Sequence, residues 1–295
     1  MSSSPEPRHR PVLPAETLRL LDPQPGSVWV DCTTGGGGHT RLLAEAVGNS
    51  GRVIGLDQDA TMLALATPKL AGMPVTLVEA NFDQLSDVLF RLNIASVDGV
   101  LADLGFSSDQ MDDGTRGLSF LHDGPLDMRL NTTAGMTAAD IVNRYDEQEL
   151  AGLIFEFGEE HHSRRIARRI VERRQTKPFA TTADLADLVR RSVPSSADSR
   201  RIHPATRTFQ ALRIAVNDEL AALDRLLSVL PKVVKPGGRA GIISFHSLED
   251  RRVKLAFREA DTWTVVTKKP VEATDAETVS NPRSRSAKLR VAVRN

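Results

Sequence analysis

The sequence predicts an α/β protein: a doubly wound parallel sheet whose strand–helix alternation is interrupted by a mainly helical insertion. Three observations carry that expectation. Short β-branched runs alternate with amphipathic stretches as far as Asp103, the alternation then stops between about Gln110 and Ala215, and strand signals return after Lys235-Pro-Gly-Gly238. Strands separated by helices pair in parallel through right-handed crossovers. The expected division is a first core segment over residues 1–110, an inserted helical domain over 111–215 and a second core segment over 216–295.

Taken in order, the candidate strands are Val28–Asp31, Val53–Asp57, Val75–Glu79 and Val97–Asp103. Helical patterns near Thr40–Val47, Ala60–Leu70 and Leu85–Leu92 fall between them. After the insertion, one long helix near Phe209–Val234 is expected to re-enter the core. Pro236-Gly237-Gly238 ends it, because proline blocks helical continuation and glycine suits the C-cap. Arg239–Phe245, Trp263–Thr267 and Leu289–Val293 complete the strands.

Bulk composition narrows the function classes. With 38 basic and 38 acidic residues the formal net charge is zero, so a nucleic-acid partner has to be met by a local basic patch. The single cysteine, Cys32, excludes an intramolecular disulfide and a multi-cysteine zinc site, and suits a reducing cytoplasm. No apolar run approaches membrane-spanning length and the first ten residues carry no hydrophobic signal region, so no membrane partner is expected. No metal is expected either: His161 and His162 are adjacent rather than one helical turn apart. Oligomeric state is left open, with a homodimer among the options.

The most informative stretch is Val28-Trp-Val-Asp-Cys-Thr-Thr-Gly-Gly-Gly-Gly-His39. Strand, glycine loop and helix together let a backbone approach a nucleotide-like ligand at the carboxyl end of a parallel strand. A dinucleotide fingerprint needs a third glycine, and here Thr40 or Arg41 stands at that place, which counts against NAD. Further on, Arg52-Val-Ile-Gly-Leu-Asp57 reads as a buried strand ending in an acid able to accept both hydroxyls of a ribose. S-adenosylmethionine has that ribose and no pyrophosphate, so the acid is wanted and the third glycine is not. A tight turn in another kind of α/β protein remains the plain alternative.

The fourth strand ends in Asp103-Leu-Gly-Phe-Ser-Ser-Asp-Gln110, placing a carboxylate and the hydroxyls of Ser107 and Ser108 near the expected reversal of strand order. Acceptors there could orient an exocyclic amine, whose lone pair is delocalised and needs help by position and electrostatics. The loop Arg116–Arg129 carries Arg116, Asp127 and Arg129 among buriable residues and is read as a substrate-facing lid, with a solvated linker as the plain alternative. On the helix His161–Arg174, Ile166 and Ile170 share one face, while Arg164 with Arg168 and Arg165 with Arg169 form basic rows suited to phosphates or to plain solvation. Arg200–Arg213 and Asn281–Arg294, the latter with five cations and no acid, add further positive charge. In Ser244-Phe-His-Ser-Leu-Glu-Asp-Arg251, Ser247 with Asp250 reads as a capping box, leaving His246 as a substrate candidate.

Assembled, these blocks resemble the RsmH (MraW) family of bacterial methyltransferases, which modify N4 of a cytidine in the decoding region of 16S ribosomal RNA. The resemblance runs from His9-Arg-Pro-Val-Leu13 to Arg283-Ser-Arg-Ser-Ala-Lys-Leu-Arg290 and includes Gly35-Gly-Gly-Gly-His39, Asp103-Leu-Gly-Phe-Ser-Ser108, Asp123-Gly-Pro-Leu-Asp-Met-Arg129 and His203-Pro-Ala-Thr-Arg-Thr-Phe-Gln-Ala-Leu-Arg213. It implies a Rossmann-like class I methyltransferase sheet and S-adenosylmethionine contacts at Gly37, Gly38, His39, Asp57, Phe82, Asp103 and Gln110, to which the glycine-loop reading adds Gly35. The implied partner is 16S rRNA within the 30S subunit or a late assembly precursor. Thr40 stands for the usual serine and Phe106 for the usual valine. Carbon-5 methylation would need an attacking thiolate, and Cys32 lies on the wrong strand for it. A nicotinamide oxidoreductase and a non-catalytic RNA-binding protein remain the competing classes.

Overall fold

The structure, a computed structural model, describes residues 10–133, 135–194 and 203–295, and the backbone but not the side chain of Ser108. His9 and the Arg200–Arg201 end of the second basic cluster lie outside the described residues. The chain forms two compact units, one running up to Ser107 and resuming at Leu220, the other spanning Ser108–Glu219. The expected boundaries were 110/111 and 215/216, so the observed ones differ by a few residues.

In the first unit, α1 (Pro14–Leu21) precedes β1 (Val28–Asp31), α2 (Gly38–Val47), β2 (Arg52–Asp57), α3 (Ala60–Ala66), β3 (Val75–Glu79), α4 (Leu85–Arg91) and β4 (Val97–Asp103). The second unit contributes α5 (Ser108–Asp112), α6 (Ala138–Arg144), α7 (Glu147–Gly158), α8 (Ser163–Arg174), α9 (Thr182–Ser192) and α10 (Ala205–Asn217). The chain then returns through α11 (Glu219–Val233), β5 (Val234–Ser244), α12 (Ser247–Ala256), β6 (Trp263–Val265), β7 (Val271–Glu272), α13 (Asp275–Ser280) and β8 (Lys288–Arg294).

The sheet order is β3-β2-β1-β4-β5-β8-β6. Strands β3, β2, β1, β4 and β5 are mutually parallel, and β8 enters antiparallel between β5 and β6. This is the class I methyltransferase sheet that the resemblance implies. Strand order reverses between β1 and β4, so their carboxyl ends flank the crevice where such sheets bind ligands. Asp31, the end of β1, pairs with Gly55 and with Leu101, so β2 and β4 each run two residues further, to Asp57 and Asp103, on either side of the crevice.

Burial follows the parallel pattern of apolar residues on both faces. One face packs Val30, Ile54, Val100 and Ala102 under Leu223, Leu226 and Leu230 of α11. The other packs Trp29, Val53 and Leu101 against Leu21 of α1 and Leu43 and Val47 of α2. Gly99 is required opposite Trp29, because a Cβ there would meet the indole ring at 2.2 Å.

Four expectations are corrected. Pro236-Gly237-Gly238 does not end the helix, because α11 stops at Val233 and these residues form the irregular start of β5, where the register against β4 shifts. The single helix expected over Phe209–Val234 is two, because Asp218 takes the left-handed conformation (φ 50°) and ends α10 before α11 starts. Helix α3 stops at Ala66 and tightens into a 3₁₀ turn over Thr67–Lys69, where Pro68 cannot continue the α ladder. At α12 the N-cap is His246 rather than Ser247, which puts Glu249, not Asp250, at the third position.

In the second unit, α7 packs between α8 and α10. The loop before α6 is held by its own chain: a Cβ on Gly117 (φ +64°) would meet Pro125 O at 1.9 Å, and one on Gly124 would meet Gly114 O at 1.9 Å. A bridge between Pro125 and Thr181 ties the loop to the start of α9.

Candidate active site

The site is built on the first unit from the loop between β1 and α2. Thr34 N–H donates to Leu56 O and Gly37 N–H to Thr34 O, each at 2.8 Å, which folds the loop back on β2. Gly35 (φ +49°) and Gly37 (φ +87°) adopt left-handed backbone that side chains disfavour. Lys69 Nζ donates to Gly36 O at 2.9 Å and pins the crest of the loop from α3's end. Helix α2 starts at Gly38 with no side-chain cap on its first turn, so its N–H groups and the positive end of its dipole face the loop.

Three carboxyl groups line the carboxyl edge. Asp31 is fully buried, accepts Thr40 Oγ1–H at 2.6 Å and Thr33 N–H at 3.1 Å, and is pushed up to about 6 by burial against those two bonds. Thr40 therefore retains the hydroxyl of the serine it replaces. Asp57 accepts Gly35 N–H at 2.8 Å and Asp59 N–H at 2.9 Å, and burial pushes it up to about 6 as well. Each oxygen keeps a second lone pair for a further donor.

Asp103 is the most strained of the three electrostatically. Burial holds its carboxyl well above the usual range, the charges of Asp31 and Glu249 push the same way, and Arg283 opposes them. Its backbone N–H donates to Thr33 Oγ1 at 2.6 Å, and Oδ2 lies 3.7 Å from Nε2 of buried His39. Oδ1 is buried yet accepts no hydrogen bond among the described residues. An acceptor left in that state costs about 1–3 kcal/mol, which a donor supplied by a ligand would recover.

The flanks of the crevice are equally specified. Phe82 sits half-buried on the turn after β3, where Asn81 caps the turn and donates Nδ2–H to Gln58 Oε1 at 3.1 Å. Ser107 donates its hydroxyl to Met62 Sδ at 3.2 Å. On the β5 side, buried Glu249 reaches back to accept the N–H groups of Phe245 (2.8 Å) and His246 (3.3 Å). His246 Nε2 lies 3.2 Å from Glu249 Oε1. Asp250, freed from capping, instead holds buried Arg290 through two bonds of 2.6 and 3.0 Å. Cys32 is buried and its thiol is pushed well up by burial and by Asp31, the reverse of an activated nucleophile.

Gly35, Gly37, Gly38, His39, Asp57, Phe82, Asp103, Ser107 and His246 thus belong to the first unit, at or beside one sheet edge. The remaining candidates belong to the second. Gln110 is buried on α5, and Ser108, also on α5, has no described side chain. Arg116 donates Nη2–H to Leu130 O at 2.6 Å, and Asp127 takes Arg129 in a two-bond clasp of 2.7 and 2.8 Å, so these charges brace their own loop. On α8, Ile166, Ala167 and Ile170 are buried while Arg164, Arg165, Arg168 and Arg169 are exposed. Arg169 also donates to Arg191 O at 2.9 Å, tying α8 to the last turn of α9.

The two other basic segments are less uniform than their composition implies. Arg213 is clasped by Glu219 through bonds of 2.7 and 2.8 Å, and Arg294 donates to Pro231 O at 3.0 Å. With Arg290 on Asp250, these cations serve the fold. Residues to which the sequence reading gave no site role are Thr33, Lys69 and Glu249, and Arg283 entered it only as one cation of a basic segment. Only Thr33 had a local signal, as a hydroxyl next to the strand-terminal acid.

The family model described as the MraW methylase family matches residues 6–295. "Ribosomal RNA small subunit methyltransferase H" of Symbiobacterium thermophilum is 47% identical over 306 aligned positions, covering 97% of this chain and 96% of that protein. The protein of the same name from Trichormus variabilis is 51% identical over 286 positions, covering 96% and 91%. Among solved structures, an rRNA methylase from Streptococcus thermophilus aligns over 94% of this chain and 90% of its own, with TM-score 0.43 and 10% identity.

Proposed function

Since the chain belongs to the MraW methylase family, we propose that it is an S-adenosylmethionine-dependent methyltransferase acting on N4 of a cytidine in the small-subunit ribosomal RNA. The observation that carries this reading is the cluster of three strand-terminal carboxyls around a glycine loop, with one buried acceptor oxygen unmatched. Such a cluster suits a ligand that brings both positive charge and hydroxyl donors. A sulfonium, an ammonium and a ribose meet that description; a pyrophosphate does not.

Asp57 would hold the ribose hydroxyls, the loop Gly35–Gly38 the backbone-close part of the ligand, Phe82 a face of the adenine, and His39 and Asp103 the end nearest the reaction. When bound, S-adenosylmethionine would supply a methyl group on a positively charged sulfur, which would leave as a neutral thioether once N4 takes the methyl. Asp103 accepts an N4–H bond, holds the amine in line, and is the acceptor for the surplus proton, directly or through water. Its raised pKa makes that proton transfer favourable. Ser107 is proposed as a secondary contact on the segment that follows.

The carboxyls give a pH dependence with a defined sign. The free site binds protons on Asp57 and Asp31 up to about pH 6, whereas a cationic, hydroxyl-rich ligand favours their ionised forms. Binding below that pH must release protons, so affinity for S-adenosylmethionine is expected to rise from pH 5 to about 7 and then level off. Calorimetry in buffers of different ionisation enthalpy should show proton release at pH 5.5 that vanishes near pH 8; release independent of pH would contradict the assignment.

RNA bases must leave their stack to reach such a crevice, and the basic face of α8 is the proposed phosphate contact. Arg165→Glu with Arg169→Glu is expected to weaken RNA binding and to lower the salt slope by about 2, with the affinity for S-adenosylmethionine unchanged. Identical RNA affinity across a salt series would make α8 a solvated face. The substrate is proposed to be the assembled 30S subunit or a late precursor, in a cytoplasmic setting. Among the described residues no helix is long and apolar enough to cross a membrane. Tritiated methyl transfer to naked 16S RNA and to 30S particles tests this, with faster transfer to particles expected and exclusive use of naked RNA against it.

A further inference from the structure

The Asn281–Arg290 block has a place in the site that the mechanism above does not use. Strand β8 runs antiparallel to β5, pairing Ser244 with Lys288, while β5 pairs Ile243 with Asp103 of β4. Residues just before Lys288 therefore lie at the same sheet edge as those just after Asp103. A 3₁₀ turn, Pro282–Ser286, is fixed there. Ser284 is fully buried with Oγ–H donated to Asn281 O at 2.8 Å, Ala287 N–H closes on Ser284 O at 3.0 Å, and Asn281 Nδ2–H reaches Arg10 O at 3.3 Å.

This turn presents Arg283. Its guanidinium carbon is 5.8 Å from the centroid of the Phe106 ring, three residues beyond Asp103, and both side chains are half-buried. The cation also acts on the Asp103 carboxyl, holding down the pKa that burial raises. A donor on a fixed turn and an acceptor at a strand end thus share one sheet edge, with the Phe106 ring next to the donor. An arginine keeps its charge at any working pH, so the donor role does not titrate away.

We propose that Arg283 reads the Watson–Crick edge of the target cytosine, donating to N3 and O2 while Asp103 accepts from the N4 amine and Phe106 offers its ring for stacking. The inference rests on the base-methylation reading above. Cytosine presents donor, acceptor, acceptor along that edge. Uracil presents acceptor, donor, acceptor, which sets its O4 against the Asp103 carboxylate and its N3–H against the guanidinium. The pair therefore selects cytosine as well as orienting it.

The test is a chemical double-mutant cycle on reconstituted 30S particles carrying either cytidine or 3-deazacytidine at the target, with wild-type protein, Arg283→Ala and Arg283→Lys. Replacing N3 by C–H removes one acceptor, and its intrinsic effect on the amine is read in the Arg283→Ala background. Wild type is expected to lose about 10- to 100-fold more kcat/KM on the deaza substrate than Arg283→Ala does. Arg283→Lys, which keeps the charge without the fork, should fall between. S-adenosylmethionine affinity and thermal midpoint should be unchanged in both variants. Equal deaza penalties in wild type and both variants would overturn the proposal and make Arg283 a phosphate contact or a structural cation. A defect traced to lost S-adenosylmethionine affinity would overturn it in favour of a cofactor contact. Failure of wild type to methylate N4 of unmodified particles would instead remove the underlying reading, and is separately visible.

Discussion

Asp103→Ala is expected to lower methyl transfer by about 10³-fold, with a much smaller change in S-adenosylmethionine affinity. The residue combines an unmatched buried oxygen with a carboxyl held well above its usual range, chiefly by burial. Both properties serve the amine: one accepts its N–H, the other takes its proton. The wild-type rate should climb with pH as Asp103 ionises, and Asp103→Asn should lose that limb. Stability should move the other way. A carboxyl whose pKa is raised by folding holds its proton more tightly in the folded chain than in the unfolded one. The folded state therefore loses stability as pH climbs through that value, and Asp103→Asn should melt higher than wild type at pH 8. A variant with near-normal turnover would show that another group orients the amine.

The second large effect is on the donor ligand. Asp57→Ala removes the proposed ribose acceptors together with the bonds that hold Gly35 and Asp59. Two charge-assisted bonds at about 1.5–3 kcal/mol each set the expected loss at roughly 10²- to 10³-fold in affinity, after allowance for non-additivity. The fold should survive, since the β2 ladders to β1 and β3 do not involve the Asp57 side chain. Unchanged calorimetric binding would remove the ribose assignment, and loss of the circular dichroism signal would make Asp57 structural.

These two residues were legible in the sequence because local chemistry announces them. Each is an acid at the end of a short apolar run, and the parallel sheet turns that pattern into one edge. The glycine loop was legible for the same reason. What stayed hidden depends on distant pairing. Arg283 reaches the crevice only because β8 inserts antiparallel between β5 and β6, and nothing near Arg283 encodes that partner. Glu249 was passed over because Asp250 follows it, and a one-residue shift in the start of α12 decides which acid caps and which one holds Arg290. The break at Asp218 was missed because Asn217 and Asp218 are polar residues in a helical pattern, and aspartate is among the few residues that tolerate the left-handed region.

The basic segments show why composition overstates function. Of the cations in Asn281–Arg294, Arg290 and Arg294 are bonded within the fold and Arg283 stands at the crevice. On α8, by contrast, the buried Ile166 and Ile170 fix the helix so that its arginine rows are exposed. Periodicity, which reports burial, separated those two cases better than charge counting could.

The most direct measurement is the identity and position of the product. The purified protein would be incubated with S-adenosylmethionine and 30S subunits from a strain lacking this activity, and the RNA mapped by nuclease digestion and mass spectrometry. One new N4-methylcytidine in the decoding region is the expected result. A methyl group on carbon 5, on another base, or on no nucleotide of the particle would contradict the account.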